Sequence, residues 1–273
     1  MITIIKKMFA GRILLFYETM NQFVRMLTHL PTIGEKINRQ VVEKNNDKLS
    51  IVFGIIAQIG RILYEFIGKF LYVFVFMYIP YKFIAQFYPL VDSNQELTMI
   101  FFFFILSTVC GSLTNTIVLA MGDREYMMVK VFLISPYICF LGNIIYKVIT
   151  DFIYFTVILF IFGVPLQKSL LLCFVTMMFR PIGEMLSIFV FDSLKTLYNR
   201  RGLYNGFVMA LCFIFAYGMP IMEHRIPENW LFVIHPVFII ISVVIGIGAS
   251  IYLWWYKDYR KIMSEAMYIK REK

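Results

Sequence analysis

Six long apolar stretches limit what this chain can fold into. Each is close to the roughly 20 residues that a helix needs to cross the hydrocarbon core of a bilayer. The stretches cover approximately residues 70–88, 97–120, 137–162, 169–191, 204–222 and 231–256. We therefore predict an all-α, polytopic membrane protein with six transmembrane helices.

Lys and Arg residues fall on alternating sides of these stretches. They crowd the N-terminal segment, the second and fourth connections and the C-terminal tail, and the other connections hold few of them. Cytoplasmic loops of membrane proteins carry an excess of Lys and Arg. The pattern therefore predicts that both termini are cytoplasmic.

The composition excludes a large soluble domain. Of the 273 residues, 60% are hydrophobic and 16% are charged, whereas a soluble domain carries about a quarter charged residues. The formal net charge of +9 stands beside membrane segments, where it sets topology and attracts anionic lipid. A nucleic-acid binder would instead concentrate it on a folded soluble face. Membrane lipid is thus an expected partner, and nucleic acid is not.

The apolar stretches divide the chain into three parts. Residues 1–69 are predicted to form cytoplasmic amphipathic interfacial helices, residues 70–256 the six-span transmembrane domain, and residues 257–273 a basic cytoplasmic tail. Three prolines interrupt the apolar connection 218–236. That interruption predicts a broken outer hairpin before the last span.

The segment before the first stretch carries charge on one helical face. Arg61, Glu65 and Lys69 are spaced four residues apart, so they share one face of a helix. An interfacial helix keeps this face in water. The alternative is a long tilted span that starts near Leu49, which would place the charges at membrane depth, where they are costly.

The second connection predicts a short cytoplasmic helix. Gly122 and Pro136 bound this segment. Asp123 and Glu125 stand where the N-terminal end of a helix favours acidic residues.

Four ionisable residues fall inside the apolar stretches. Lys147 and Asp151, and likewise Arg180 and Glu184, are four residues apart, so each pair can neutralise itself on one helical face. The second stretch also has a small and polar face, on which Asn115 lies. Intramembrane ionisable residues mark substrate paths by default. Structural ion pairs are the alternative, and the sequence leaves both open.

The chain lacks the motifs of self-contained catalysis. It has no Gly-x-x-x-x-Gly-Lys-Ser/Thr loop, no His-Glu-x-x-His motif and no Gly-x-Ser-x-Gly elbow. The four cysteines form no Cys-x-x-Cys pair, and the three histidines lie in connections on both predicted sides of the membrane. We therefore expect no metal site, no cofactor and no enzymatic activity of the chain's own.

Three local sequences and the order of the elements resemble a known family. The sequences are Leu30-Pro31-Thr32-Ile33-Gly34-Glu35-Lys36-Ile37, Gly122-Asp123-Arg124-Glu125-Tyr126-Met127-Met128 and Arg180-Pro181-Ile182-Gly183-Glu184. They are similar to those of Firmicute permeases of the second class of ABC exporters, which have the type V fold. The resemblance spans nearly the whole chain.

The resemblance implies a function and partners. A permease of this family is the membrane-spanning subunit of an ATP-driven exporter, and a separate P-loop ATPase subunit binds and hydrolyses ATP with Mg. The short helix after the second span contacts that ATPase. This assigns ATPase coupling to Gly122, Asp123, Arg124, Glu125, Tyr126 and Met127. A single six-span unit implies a second permease copy, as a homodimer or with a paralogous half, in the bacterial cell membrane.

The substrate and the role stay open at this point. The apolar, aromatic and Met-rich spans suit a hydrophobic or amphipathic cargo, such as a peptide or a lipid-like molecule. A non-transport membrane protein, such as an immunity or assembly factor, is the alternative, followed by an intramembrane enzyme. Co-purification of a P-loop ATPase would favour the exporter.

Overall fold

The structure is a computed structural model that describes residues 16–17, 19–29, 47–117, 129–130, 134–194 and 200–264. These residues are largely helical and contain no strand. Contacts divide the chain into two units, Met1–Gly68 and Lys69–Lys273. In the first unit, Val24 packs against Leu27 and Phe53. Much of the predicted N-terminal helical region lies outside the described residues.

Among the described residues, six helices are long and apolar enough to cross a membrane. They are Ile51–Phe87 (span 1), Gln95–Thr114 (span 2), Pro136–Ile161 (span 3), Leu166–Ser193 (span 4), Gly202–Glu223 (span 5) and Pro236–Trp255 (span 6). The prediction of an all-α, polytopic membrane protein with six transmembrane helices is confirmed.

The helix that contains span 1 is longer than predicted. It begins at Asp47 and continues through Val73, a π-helical turn at Phe74–Tyr78 and the segment Ile79–Phe87. The residues predicted as an interfacial helix that leads into the first span therefore form one continuous helix with the first apolar stretch. The 37 residues of span 1 make a helix about 55 Å long. This exceeds the roughly 30 Å hydrocarbon core, so its charged first part can lie outside the core.

Pro80 follows directly on the π-helical turn of span 1. A proline ring has no N–H for the carbonyl four residues before it, here Phe76, and clashes with it in a regular helix. A π-helical turn widens the backbone at such a point. The Tyr217 hydroxyl of span 5 donates to the Phe76 carbonyl at 2.6 Å. Span 5 thereby bonds a backbone group that hydrocarbon could not satisfy.

Span 2 occupies the interior of the second unit. Of the most apolar 18 residues of span 2, 78% are buried, whereas only 11% are buried in the corresponding parts of spans 1 and 5. Phe101, Phe102 and Phe103 are all fully buried, although successive residues point to different sides of a helix. A helix that is apolar all round is typical of such a position.

Two glycines allow helix backbones to approach closely. A Cβ on Gly183 of span 4 would lie 2.6 Å from the carbonyl carbon of Ser112 in span 2, and still closer to its oxygen. A Cβ on Gly246 of span 6 would lie 2.8 Å from the Met178 carbonyl oxygen of span 4. Small residues permit such contacts between transmembrane helices. Span 4 therefore lies in close backbone contact with both span 2 and span 6.

The predicted broken segment before span 6 is a single 3₁₀ helix. Span 5 ends at Glu223, and His224 takes the left-handed conformation with φ 56°. The 3₁₀ helix covers Glu228–Ile234. Its Trp230 ring lies edge-on to Phe101 of span 2, with 4.6 Å between the ring centroids.

The segment after span 6 folds back onto the spans. Residues 259–264 are helical, and Tyr259 and Ile262 are buried in a cluster with side chains of spans 3, 4 and 6. The Tyr259 hydroxyl donates to the Leu253 carbonyl at 2.7 Å. Burial raises the pKa of this phenol, so it remains a donor. The first part of the predicted tail 257–273 is therefore a packed helix.

Candidate functional site

The helix of span 2 ends earlier than the apolar stretch that predicted it. Its helix stops at Thr114, and Asn115 is non-helical, with φ −100° and ψ 56°. The stretch predicted helix up to residue 120. The last four carbonyls of any helix have no partner within it, and hydrocarbon offers none. Other parts of the protein must therefore bond the end of span 2.

Cations from spans 3 and 4 bond carbonyls at this end of span 2. Lys147 Nζ donates to both the backbone oxygen and the side-chain oxygen of Asn115, each at 2.8 Å. Arg180 Nη1 donates to the Gly111 carbonyl at 2.8 Å. Positive charge suits the C-terminal end of a helix, where the helix dipole is negative. Two basic residues of other spans thus cap span 2.

Glu184 bonds the chain just beyond this end. Its Oε1 accepts a hydrogen bond from the backbone N–H of Ile117 at 2.7 Å, and the residue is 3% exposed. Non-helical backbone occurs at membrane depth only where protein or a water-filled cavity surrounds it. The bonds to Asn115 and Ile117 give their backbone groups partners from the protein.

Asp151 joins three spans through two ion pairs. Its Oδ1 lies 2.7 Å from Lys69 Nζ of span 1, and its Oδ2 lies 2.9 Å from Arg180 Nη2 of span 4. The side chains of Asp151 and Arg180 are each 8% exposed. Each carboxylate oxygen therefore has its own cation inside the protein.

The predicted ion pairing within each helix is wrong. Asp151 pairs with Lys69 and Arg180 rather than with Lys147, which bonds the end of span 2. Arg180 in turn bonds Asp151 rather than Glu184. A spacing of four residues places two side chains on one helical face. It does not decide between a partner on that helix and a partner on the next one, because buried groups take the arrangement that leaves the fewest unsatisfied.

The charges of this cluster stand deep in their spans. Asp151 is ten residues from the end of span 3 at Ile161, and Arg180 is 14 residues from the start of span 4 at Leu166. These separations correspond to about 15 and 21 Å along the helices, which is less than the roughly 30 Å thickness of a hydrocarbon core. A charge at that depth costs about 3 kcal/mol or more. Pairing is therefore a condition for the spans to insert.

The cluster is closed to large ligands. A cavity of about 10 Å³ lies beside it, bounded among others by Asp151, Thr176 and Arg180. This volume suits about one water molecule and is far below the several hundred Å³ of a drug-sized site. Within the described residues, Arg180 Nε has no hydrogen-bond partner. A larger ligand could bind here only by displacing a side chain.

The structure brings together the residues that the sequence singled out inside the membrane. All five belong to one cluster: Asn115, Lys147, Asp151, Arg180 and Glu184. Lys69 completes it and was missed as a site residue, although its place on the charged helical face was a signal. The predicted coupling residues Gly122, Asp123, Arg124, Glu125, Tyr126 and Met127 lie outside the described residues, so their role stays a prediction.

Neither a metal site nor a relative adds a further assignment. Among the residues that the structure describes, no three His, Cys, Asp or Glu side chains converge as metal ligands would. No family model, no curated protein and no solved structure matches the chain. The site has to be interpreted from its own geometry.

Proposed function

We propose that this chain is the permease subunit of an ATP-driven exporter of the ABC class. It would move a hydrophobic or amphipathic substrate, such as a peptide or lipid-like molecule, out of a bacterial cell across the plasma membrane. Both termini would be cytoplasmic, in accord with the distribution of Lys and Arg. ATP and Mg would bind to a separate P-loop ATPase, because the chain carries no P-loop.

The observation that carries this proposal is the charge cluster around the end of span 2, in which Asp151, Arg180 and Glu184 are buried. It unites ionisable groups of spans 1, 3 and 4 around the end of span 2: Lys69, Lys147, Asp151, Arg180 and Glu184. Ionisable residues at membrane depth are costly and mark paths for substrates or ions. The broken end of a transmembrane helix beside such residues is also a feature of transporter binding sites.

A second line of support links the cluster to the resemblance. The string Arg180-Pro181-Ile182-Gly183-Glu184, which is similar to exporter permeases, supplies two of the charged groups and the glycine that contacts span 2. These residues therefore have a shared structural reason to occur together.

Uncovered apolar surface supports a second permease copy. In the most apolar part of span 1 and in that of span 5, only 11% of the residues are buried. Lipid covers such a surface in a monomer, and the matching surface of another copy covers part of it in a dimer. A homodimer and a pair with a paralogous half both fit this proposal.

The ATPase partner is tested by purification from the native bacterium. A tagged chain, solubilised in mild detergent, should elute with Mg-dependent ATP hydrolysis that vanadate inhibits. The double change Glu125→Ala/Tyr126→Ala should remove that activity while the permease remains folded, because both residues are assigned to ATPase coupling. The double change Lys257→Ala/Asp258→Ala, on exposed residues after span 6, is the matched control. ATP hydrolysis absent from the parent eluate would refute the exporter.

A non-transport membrane protein is the second candidate, and one observation favours it. Asp151 already has two cations of the same chain as partners, which is what a purely structural cluster requires. Removing Asp151 together with Lys69 tests whether the cluster is structural or belongs to a transport path. If the double variant regains both expression and ATPase stimulation, the cluster is structural. Regained expression without stimulation assigns it to the transport path.

A further inference from the structure

The ammonium group of Lys69 lies in a site built by one face of span 3. Its Nζ is 2.7 Å from Asp151 Oδ1. It is also 4.5 Å from the ring centroid of Tyr154 and 5.7 Å from that of Phe155. Both ring distances are within the roughly 6 Å over which a cation is attracted to an aromatic face. One carboxylate and two rings therefore contact the same positive charge.

The three groups that receive Lys69 belong to one helix. Asp151, Tyr154 and Phe155 stand at positions i, i+3 and i+4 of span 3, which places them side by side on the helix surface. Their arrangement follows from the helix and does not require Lys69, which comes from span 1. The site therefore persists when its occupant is removed.

Arg180 holds the carboxylate of this site in place. It bonds the other oxygen of Asp151 at 2.9 Å and is itself held by the Gly111 carbonyl at 2.8 Å. Without Lys69, the acid would still have a buried cationic partner. Replacing Lys69 with a neutral residue thus leaves no unpaired carboxylate, which is the change that buried ion pairs tolerate worst.

The site is accessible from the side of span 1. The Lys69 side chain keeps 21% of its surface exposed, against 8% for Asp151. A cation that replaced Lys69 would leave the net charge of the cluster unchanged. Its apolar part would lie along the exposed apolar surface of the part of span 1 that follows Lys69.

We propose that Asp151, Tyr154 and Phe155 form a binding site for the alkylammonium group of a cationic amphiphile, and that Lys69 occupies this site when no ligand is bound. Aromatic faces combined with a negative charge recognise ammonium groups in general. The inference names a substrate class for the cluster, and to that extent rests on the proposed export function. Binding itself needs neither ATP nor a partner subunit.

The test is photolabelling in lipid nanodiscs with a dodecyltrimethylammonium that carries a diazirine in its chain. Lys69→Met should lower the concentration needed for half-maximal labelling of span 3 by about tenfold, because the competing ammonium is gone. Adding Tyr154→Leu to Lys69→Met should reverse most of that gain without changing any charge. Adding Asp151→Asn instead should abolish the saturable labelling.

Two controls separate the site from simple partition into the bilayer. Lys82→Met makes the same substitution at a lysine that also lies over two rings, those of Tyr78 and Tyr81, and should leave labelling of span 3 unchanged. A probe with a hydroxyl in place of the ammonium should label all variants equally. Elution volume in size-exclusion chromatography verifies that each variant is folded.

The inference is overturned if folded Lys69→Met binds the probe no more tightly than the parent. It is also overturned if Tyr154→Leu has no effect in that background. Because labelling is measured without ATP, a negative result here is independent of ATPase co-purification. Labelling together with absent ATPase activity would keep the site and remove the exporter.

Discussion

Gly183→Ala tests the helix contact on which the charge cluster depends. The new Cβ would lie 2.6 Å from the carbonyl carbon of Ser112, whereas carbon atoms pack at about 3.5–4.0 Å. Spans 2 and 4 would have to separate by about 1 Å. Overpacking costs about 1–3 kcal/mol. Because the obstacle is backbone, which cannot rotate away, we expect a loss near 3 kcal/mol.

That separation would also strain the bonds between the two helices. Three hydrogen bonds cross the same interface, from Arg180 to Gly111 (2.8 Å), from Ile117 to Glu184 (2.7 Å) and between Thr108 and Thr176 (2.6 Å). Lengthening each by about 1 Å takes it beyond the range of a hydrogen bond. The substitution should therefore release Arg180 as well as lower the stability.

Unfolding by SDS in mixed micelles, followed by circular dichroism, measures this loss. Gly183→Ala should unfold at a clearly lower mole fraction of SDS than the parent. Gly206→Ala, in span 5, is the matched control, because no atom lies within 4 Å of its added Cβ and alanine favours helix. If both variants unfold at the parent's midpoint, the close approach of spans 2 and 4 is wrong.

Three further predictions concern topology, charge and the segment after span 6. Ser93→Cys should react with a membrane-impermeant maleimide added outside cells, because its connection lacks Lys and Arg; labelling only from inside would reverse the topology. Asp151→Asn should leave two cations without their partner, lower the stability by about 3–5 kcal/mol and so reduce the folded yield. Adding Lys69→Met should recover part of that yield. Equal yields of the single variant and the parent would place these charges in water. Tyr259→Ala should lower the stability by about 3–5 kcal/mol, as truncation of other buried aromatic side chains does, and should speed tryptic cleavage after Arg260. An unchanged cleavage rate would show that the packing of this segment does not depend on Tyr259.

Hydropathy was sufficient to predict the six spans, because a long apolar helix has few alternatives to a bilayer. The charge pattern of spans 3 and 4 likewise pointed to the residues of the cluster. The ion-pair partners of these residues could not be predicted, since Lys69 and Asp151 are 82 positions apart and only the packing of spans 1 and 3 brings them together.

The early end of span 2 shows a second limit of sequence reasoning. Residues 111–120 contain no proline, and Gly111 lies within the helix. The local stop signal is limited to Asn115, which directly follows the last helical residue. The helix ends where Lys147, Arg180 and Glu184 compete for its backbone groups. By contrast, Tyr259 and Ile262 repeat at helical spacing, a signal of a buried face that was present in the tail.

The fold-back after span 6 bears on the order of biosynthesis. Phe140 and Tyr259 belong to one apolar cluster, yet a ribosome adds them roughly 120 residues apart, or about 6–24 s at 5–20 residues per second. In the later part of that interval spans 3 and 4 are complete, while the side chains that cover their ends have not yet been synthesised. The nascent protein therefore exposes an apolar surface until the C-terminal segment is synthesised, and we expect a chaperone or membrane insertase to cover that surface.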